Sequence, residues 1–340
     1  MSTSAPARAR QDQIFSLPDG RALTFAEYGS STGTPVLYFH GFPSSRLEAS
    51  ATDKLALRRR LRIIAIDRPG FGLSTPQHGR TILDWVTDVQ NFAAGMKIDR
   101  FAVLGLSGGG PYALACAYGL PRGMLTGIGL FASGPPWEAG VEHLERYRRV
   151  MGWLAKRMPG VLRRCLDGVV RVVRWIMRTG FVVRRVEGWL EKQAQIQEQK
   201  QKEEKGVEME GIGEKGEGKM MSRSGKRSPS ERREDLYHLL LNEPFRQGAG
   251  PTVQETVLLS SPDWGFRFQD VKCEVPVRIW HGAKDANAPV SMIRYMAERL
   301  PNCIYREYED DTHYTMFKHL EEALSELVPG KAEHAGLKTA

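Results

Sequence analysis

A serine flanked by glycines is the residue in this 340-residue sequence that is best placed to do chemistry. The segment 101–111 reads Phe-Ala-Val-Leu-Gly-Leu-Ser-Gly-Gly-Gly-Pro, apolar up to Ser107 and helix-forming beyond it. The pattern Gly-x-Ser-x-Gly is typical of a strand-to-helix turn that exposes a nucleophilic hydroxyl. The next backbone N–H, on Gly108, would lie in the first turn of the helix and be free to bind an oxyanion. Taken alone, the pattern also fits a packing turn, but no lysine follows it as in a phosphate-binding loop.

The elements that must hold this serine alternate along the chain. Two strands joined by a Pro-Asp-Gly turn are predicted over residues 14–28. Further strands are predicted at 36–39, 61–66, 101–106, 125–131, 275–280 and 303–308. Helices are predicted at 49–59, 82–96, 111–118, 290–300 and 314–327. The alternation predicts an α/β fold with a mostly parallel sheet and helices on both faces.

The alternation stops in the middle of the chain, where helical, cationic sequence replaces it. We therefore expect residues 14–133 and 263–328 to form one core, with 134–262 inserted between two of its strands. The centre of the insertion, about 193–234, is rich in charged residues, glycine and serine, which predicts a disordered segment. Flexible tails are expected at 1–13 and 329–340.

Composition excludes several classes of protein. The hydrophobic fraction of 41% is enough for a sizeable core, and the four cysteines have no metal-ligand spacing, which favours buried free thiols in a reducing compartment. The sequence contains neither an apolar run of membrane-spanning length nor an apolar signal segment at its start, so we expect a cytoplasmic protein.

The net charge of +8 comes from an excess of basic residues in one segment of the chain. Residues 143–192 carry 13 Lys or Arg against four acidic residues, a balance of +9, so the rest of the chain has a charge near −1. We therefore expect no nucleic-acid partner, and the oligomeric state stays open.

Four motifs, met in a fixed order, make the sequence resemble the α/β-hydrolase superfamily. His40-Gly-Phe-Pro43 looks like the family's H-G-x-P loop, and Asp67-Arg-Pro-Gly-Phe-Gly-Leu-Ser74 is similar to its D-x-x-G-x-G-x-S segment. The Gly-x-Ser-x-Gly turn comes next, followed by segments around Asp285 and His313 that resemble those carrying the family's catalytic acid and histidine. The resemblance covers nearly all of the chain outside the insertion.

The resemblance implies a catalytic triad of Ser107, His313 and Asp285, with backbone N–H groups of Phe42 and Gly108 as the oxyanion hole. An imidazole can accept the serine proton and return it to the leaving group, while a carboxylate holds its tautomer. No metal or organic cofactor is implied.

Each member of the triad has alternatives. Asp285 is also placed to cap the helix expected from residue 290, and Asp263 and Asp270 are weaker rivals as the acid. His319 is the rival histidine, expected within a helix, whereas His40 and His281 are interpreted as structural. Thr312 precedes His313 where the family often has glycine.

The resemblance implies a serine hydrolase that cleaves an ester or related acyl bond of a small apolar substrate through an acyl-enzyme. A serine at the turn disfavours epoxide opening and halide displacement, which use an aspartate in this family. A membrane-associated lipid esterase, a C–C bond hydrolase and an aminopeptidase stay open, as does a catalytically inactive binding or scaffold protein.

The family's insertion at this point usually forms a helical cap that shapes substrate choice. Residues 161–186 interleave apolar side chains with seven arginines. That pattern fits a cap helix with solvated arginines, which we favour, and also a peripheral contact with an anionic membrane.

Overall fold

The computed structural model describes residues 10–210 and 228–329. The chain divides into two compact units, residues 1–167 with 243–340 and residues 168–242. The predicted insertion, 134–262, is thus divided between the units: 134–167 and 243–262 cluster with the sheet. Its role as a cap stays a prediction.

The first unit is built on one eight-stranded sheet. Its strands are β1 (Gln13–Ser16), β2 (Ala22–Gly29), β3 (Thr34–Phe39), β4 (Leu61–Ile66), β5 (Phe101–Leu106), β6 (Leu125–Phe131), β7 (Val277–Gly282) and β8 (Cys303–Tyr308). The strand order is β1-β2-β4-β3-β5-β6-β7-β8. Pairing is antiparallel from β1 through β2 to β4 and parallel in all the other pairs. The predicted α/β fold is confirmed.

Ten α-helices lie within the described residues. They are α1 (Asp53–Arg58), α2 (Asp84–Gly95), α3 (Gly110–Gly119), α4 (Arg146–Arg157), α5 (Pro159–Met177), α6 (Gly180–Glu210), α7 (Pro229–Tyr237), α8 (Gly250–Leu259), α9 (Val290–Arg299) and α10 (Leu320–Leu327). None of these described helices has an apolar stretch long enough to cross a membrane.

Helices cover both faces of the sheet, as the alternation predicts. On one face Phe92 of α2, Leu114 of α3 and Ile293 of α9 join one buried cluster. On the other face Leu55 of α1 and Leu324 of α10 join a second. Burial of apolar side chains on two faces fixes the sheet as the central layer and holds the carboxyl ends of the parallel strands in place.

Three expectations differ from the structure. Helix α6 runs to Glu210 and α7 begins at Pro229, so much of the predicted disordered segment 193–234 is helical; residues 211–227 lie outside the described residues. The Glu, Gln and Lys of this stretch have high helix propensity, which outweighs their polarity. Strand β1 begins at Gln13, inside the predicted tail 1–13, while residues 1–9 and 330–340 are not described.

The third difference concerns the cysteines. All four are free thiols, and Cys116 is buried, but Cys165 is exposed on α5. Buried thiols were expected at all four positions, but Cys165 follows two arginines on a side of α5 that the structure leaves exposed.

Candidate active site

The turn after β5 places Ser107 in a strained conformation. Its φ is 49°, in the left-handed region that non-glycine residues rarely adopt, and the segment Ser107–Gly109 forms a 3₁₀ turn that leads into α3. Such strain persists only where the surrounding structure holds it, and it clusters at functional sites. The side chain of Ser107 is left partly exposed.

Close packing explains the two glycines of the pattern. A methyl group on Gly105 would lie 2.6 Å from the carbonyl carbon of Gly109, and one on Gly109 would lie 2.8 Å from the carbonyl carbon of Phe39. Because real side chains do not approach backbone so closely, only glycine fits at either position. The close approach of strand and helix therefore requires glycine at both positions of the pattern.

The loops after β7 and β8 bring an acid and a histidine to Ser107. The Nε2 atom of His313 lies 3.1 Å from the Ser107 Oγ, and its Nδ1 lies 2.7 Å from Oδ2 of Asp285. With Nδ1–H donating to the carboxylate, Nε2 is free to accept the proton of the serine hydroxyl. Three side chains separated by 178 and 28 positions in sequence thus form one chain of hydrogen bonds.

Asp285 uses its two oxygens for two purposes. Its Oδ1 accepts backbone hydrogen bonds from Asn287 at 2.8 Å and Ala288 at 2.9 Å, while Oδ2 accepts from His313. Burial acts to raise the pKa of this carboxyl, but the hydrogen bond from His313 and the amide of Ala288 outweigh it and lower the pKa below its ordinary value. Turn-capping and contact with the histidine therefore coexist at Asp285.

The rival acids lie in other settings. Asp263 accepts a hydrogen bond from the amide of Gly265 in its own loop, and Asp270 pairs with Arg267 on the surface. Neither contacts His313 or Ser107 in the described part of the chain.

The other histidines have structural partners. His319 lies 2.8 Å from Asp311 and stacks on Tyr308 at 3.8 Å between ring centroids. His281 is fully buried with Nε2 2.8 Å from the carbonyl oxygen of Ala288, and burial lowers its pKa. Both contacts support the loops that carry Asp285 and His313.

Thr312, the residue that departs from the family pattern, is accommodated within its own loop. Its backbone N–H donates to Oγ1 of Thr315 at 2.8 Å, and its hydroxyl lies 3.3 Å from the same oxygen. The threonine thus closes the turn that presents His313.

The backbone N–H groups of Gly108 and Phe42 belong to two loops that meet beside Ser107. A methyl group on Gly108 would lie 3.4 Å from the backbone nitrogen of Phe42 and 2.6 Å from its Cβ, so the two residues are in close contact. Among residues 10–210 and 228–329, neither amide donates to a backbone acceptor outside the hydrogen bonds internal to helices and strands. Leu259, at the end of α8, adds an apolar wall beside Gly108.

The loop that carries Phe42 is held on both sides by charged side chains, the partly buried Glu48 and the buried Arg68. Glu48 accepts a hydrogen bond from the N–H of Gly41 at 2.7 Å. Arg68 donates to the carbonyl oxygens of His40 and Gly41, at 2.5 and 3.0 Å. Since the carbonyl of Gly41 and the N–H of Phe42 belong to one planar peptide, the guanidinium fixes the direction of that N–H.

His40 is part of the same support. Its ring is fully buried, and Nε2 accepts from the amide of Arg68 at 3.2 Å. Burial, together with the nearby positive charge of Arg68, holds the pKa of His40 well below its ordinary value. The imidazole is therefore neutral and structural.

Sequence reasoning did not find the acid that neutralises Arg68. Glu255 of α8 is fully buried, accepts from Arg68 Nε at 2.7 Å and from the Tyr112 hydroxyl at 2.9 Å, and pairs with Arg80. Burial acts to raise the pKa of Glu255, but the two guanidiniums outweigh it and lower that pKa. No local pattern marks Glu255, because its partners lie 187, 175 and 143 residues away.

A cleft of about 750 Å³ lies in the same unit. Its lining includes Pro69, His78, Lys156, Arg163, Gln247 and Val253, and none of the residues predicted for catalysis.

This fold agrees with the comparisons to known proteins. The family model described as the alpha/beta hydrolase family matches residues 36–326, so the chain belongs to that family. The predicted resemblance is confirmed, and the chain is a member of a hydrolase family.

Individual relatives give more limited information. The chain is 33% identical over 117 residues to a proline iminopeptidase of Xylella fastidiosa, a match over 32% of this chain and 36% of that protein. A second match, to the proline iminopeptidase of Xanthomonas citri, is 32% identical over 115 residues, covering 32% and 35%. The chain thus matches about a third of the length of these curated relatives.

Among solved structures, an esterase from Exiguobacterium antarcticum superposes with a TM-score of 0.59 at 15% identity, over 93% of this chain and 98% of that one. An enol-lactonase from Burkholderia xenovorans superposes with a TM-score of 0.56 at 14% identity, over 93% and 99%. At such identities the likeness establishes the fold.

Proposed function

We propose that the protein is a serine hydrolase that cleaves an ester or related acyl bond of a small apolar molecule. The observation that carries the proposal is the hydrogen-bonded chain from Ser107 Oγ through His313 to Asp285, at 3.1 and 2.7 Å. A serine hydroxyl needs an adjacent base, and the base needs a group that fixes its tautomer. The partly exposed serine has both.

The proposed reaction has two halves. The Ser107 oxygen attacks the acyl carbon while His313 Nε2 takes its proton, and the same proton passes to the leaving alcohol as the acyl–oxygen bond breaks. Water then attacks the acyl-enzyme with His313 again as base, which releases the acid and restores the hydroxyl. Asp285 stabilises the imidazolium in both halves.

The tetrahedral intermediates carry a negative oxygen, for which we propose the N–H groups of Phe42 and Gly108 as donors. Removal of one such donor costs about 2.7–4 kcal/mol in other serine enzymes. Arg68 and Glu48 act as positioning residues, because they fix the peptide planes on either side of Gly41.

The apolar character of the substrate follows from the walls beside the serine. Phe42 and Leu259 both approach Gly108, next to the proposed nucleophile. An acyl chain lying against them would be removed from water, at about 25 cal/mol per Å² of apolar surface.

A panel of substrates tests the proposal. We expect 4-nitrophenyl esters of short and medium acyl chains to be hydrolysed with an initial burst of about one product per chain, the kinetic mark of an acyl-enzyme. Proline 4-nitroanilide, chosen because of the proline iminopeptidase relatives, should be cleaved more slowly. Preferential cleavage of the anilide would indicate a peptidase, and no turnover of any ester would contradict the proposal.

A further inference from the structure

The second unit, residues 168–242, exposes large apolar side chains on two helices. On α5, Val169, Val172 and Ile176 are spaced by three and four residues, so they share one face, and Trp175 borders it. Val169 and Val172 are 56% and 55% exposed, and Trp175 is 70% exposed. A water-soluble helix ordinarily turns such a face towards a core.

Helix α6 also exposes large apolar side chains, and arginines lie beside them. Phe181 is 68% exposed and Trp189 is 56% exposed, and their spacing places them on the same face as Arg184 and Arg185. Both arginines are themselves exposed. Bulky aromatic groups and cations therefore alternate on one side of this helix.

The charge of this stretch has a single sign. From Val169 to Val186 the sequence has five arginines and no acidic residue. Two of the five have partners inside the unit: Arg174 donates to the carbonyl oxygen of Leu241 at 3.0 Å, and Arg178 lies over the ring of Tyr237 at 5.6 Å.

The other three are Arg171, Arg184 and Arg185. Across residues 10–210 and 228–329, none of them forms an ion pair. Arg171 lies two residues from Val169 and therefore on the other side of α5. We use the term "cationic apolar face" for Arg184 and Arg185 with Val169, Val172, Trp175, Ile176, Phe181 and Trp189.

We propose that the cationic apolar face docks on the surface of an anionic lipid bilayer. Tryptophan and phenylalanine side chains bury favourably at the level of the lipid headgroups, and arginine is attracted to negatively charged lipids. An acidic protein partner would satisfy the arginines equally, but the exposed side chains are spread along one face of each helix, which suits a planar, non-specific surface.

The helices would lie along the interface, because no described helix can span a bilayer. The proposal does not depend on the reaction at Ser107, since it rests on side chains of the second unit alone. Its test accordingly measures binding and not hydrolysis.

The test is sedimentation of the full chain with two kinds of vesicle, pure phosphatidylcholine and a mixture with phosphatidylserine. We expect the wild type to bind the mixed vesicles, to bind pure phosphatidylcholine much less, and to lose affinity as salt rises. Replacement of Arg184 and Arg185 by glutamine should weaken binding to mixed vesicles roughly 30-fold. Trp175→Ala with Phe181→Ala should weaken it by at least about ten-fold.

Matched controls come from the first unit. Arg100→Gln with Arg122→Gln removes the same charge from exposed positions, and Leu57→Ala removes an exposed apolar side chain. Both control variants should bind as the wild type does. All replaced side chains are exposed, and thermal unfolding of each variant verifies that its fold is retained.

Two results would overturn the proposal. The first is that the wild type does not bind mixed vesicles at low salt. This result overturns the proposal also when light scattering shows that the protein forms a dimer and that Trp175→Ala with Phe181→Ala abolishes the dimer. The other is binding that the face variants and the controls weaken alike.

Discussion

Replacement of Glu255 by glutamine should strongly destabilise the protein. The carboxylate accepts hydrogen bonds from Arg68 at 2.7 Å and Tyr112 at 2.9 Å and also pairs with Arg80, all in the buried core. Glutamine keeps the shape but removes the charge and turns an N–H₂ group towards donors. Breaking one buried ion pair by removing a partner costs about 3–5 kcal/mol, and here two guanidiniums lose their counter-charge.

Urea unfolding followed by tryptophan fluorescence measures the effect. We expect the free energy of unfolding to fall by about 3–5 kcal/mol at neutral pH. Glu298→Gln is the matched control, because its side chain is 73% exposed and its loss should cost less than about 0.5 kcal/mol.

The pH dependence of this difference has a defined sign. The folded-state pKa of Glu255 is lower than its ordinary value of 4.5, so its ionisation stabilises the fold above that value. The stabilisation disappears as pH falls through the lower folded-state pKa. The difference in free energy of unfolding between wild type and Glu255→Gln should therefore become smaller in that pH range. A free energy of unfolding of Glu255→Gln within about 1 kcal/mol of wild type at neutral pH would refute this reasoning, and so would a difference that grows on acidification.

Two further predictions concern the proposed chemistry. Asp285→Asn should leave the fold intact but lower kcat on a 4-nitrophenyl ester by about 10⁴-fold, because the amide no longer holds the productive tautomer of His313. Steady-state kinetics measure the change in kcat, and a loss below ten-fold would count against the triad. Gly108→Ala would place a methyl group 2.6 Å from Cβ of Phe42, which pushes the two proposed oxyanion donors apart. We expect kcat to fall by about 10²–10³-fold with a nearly unchanged KM, and an unchanged kcat would argue against that pair of donors.

Local sequence predicts the sheet well because its strands are short apolar runs with clear ends. The bounds of β4, β5, β6 and β8 match those predicted, and the α3 region begins within one residue of its predicted start. Ser107, Asp285 and His313 are predicted together because motifs of the family mark each loop, and their side chains lie within hydrogen-bond distance of one another. Each motif is a run of neighbouring residues, so it can be recognised in the sequence alone.

Other features arise only when distant segments meet. The pairing of Arg68 with Glu255 joins residues 187 positions apart, and nothing in either neighbourhood distinguishes a buried charge from a solvated one. Similarly, the low apolar content of 193–210 predicted disorder, although its residues individually favour helix and α6 extends through them. The arginines and apolar residues of 161–186 indicate an amphipathic helix, but the sequence does not show whether a core covers the apolar side of α5.

The most direct test of the proposed function is labelling with a fluorophosphonate probe, followed by mass spectrometry of the modified peptide. Such a probe reacts with a serine only when a base activates it and an oxyanion site stabilises the adduct. We predict one adduct per chain, located on Ser107, full labelling of the exposed-serine control Ser50→Ala, and none in Ser107→Ala. Labelling of another serine, or equal labelling of Ser107→Ala and wild type, would contradict the proposal that Ser107 is the nucleophile.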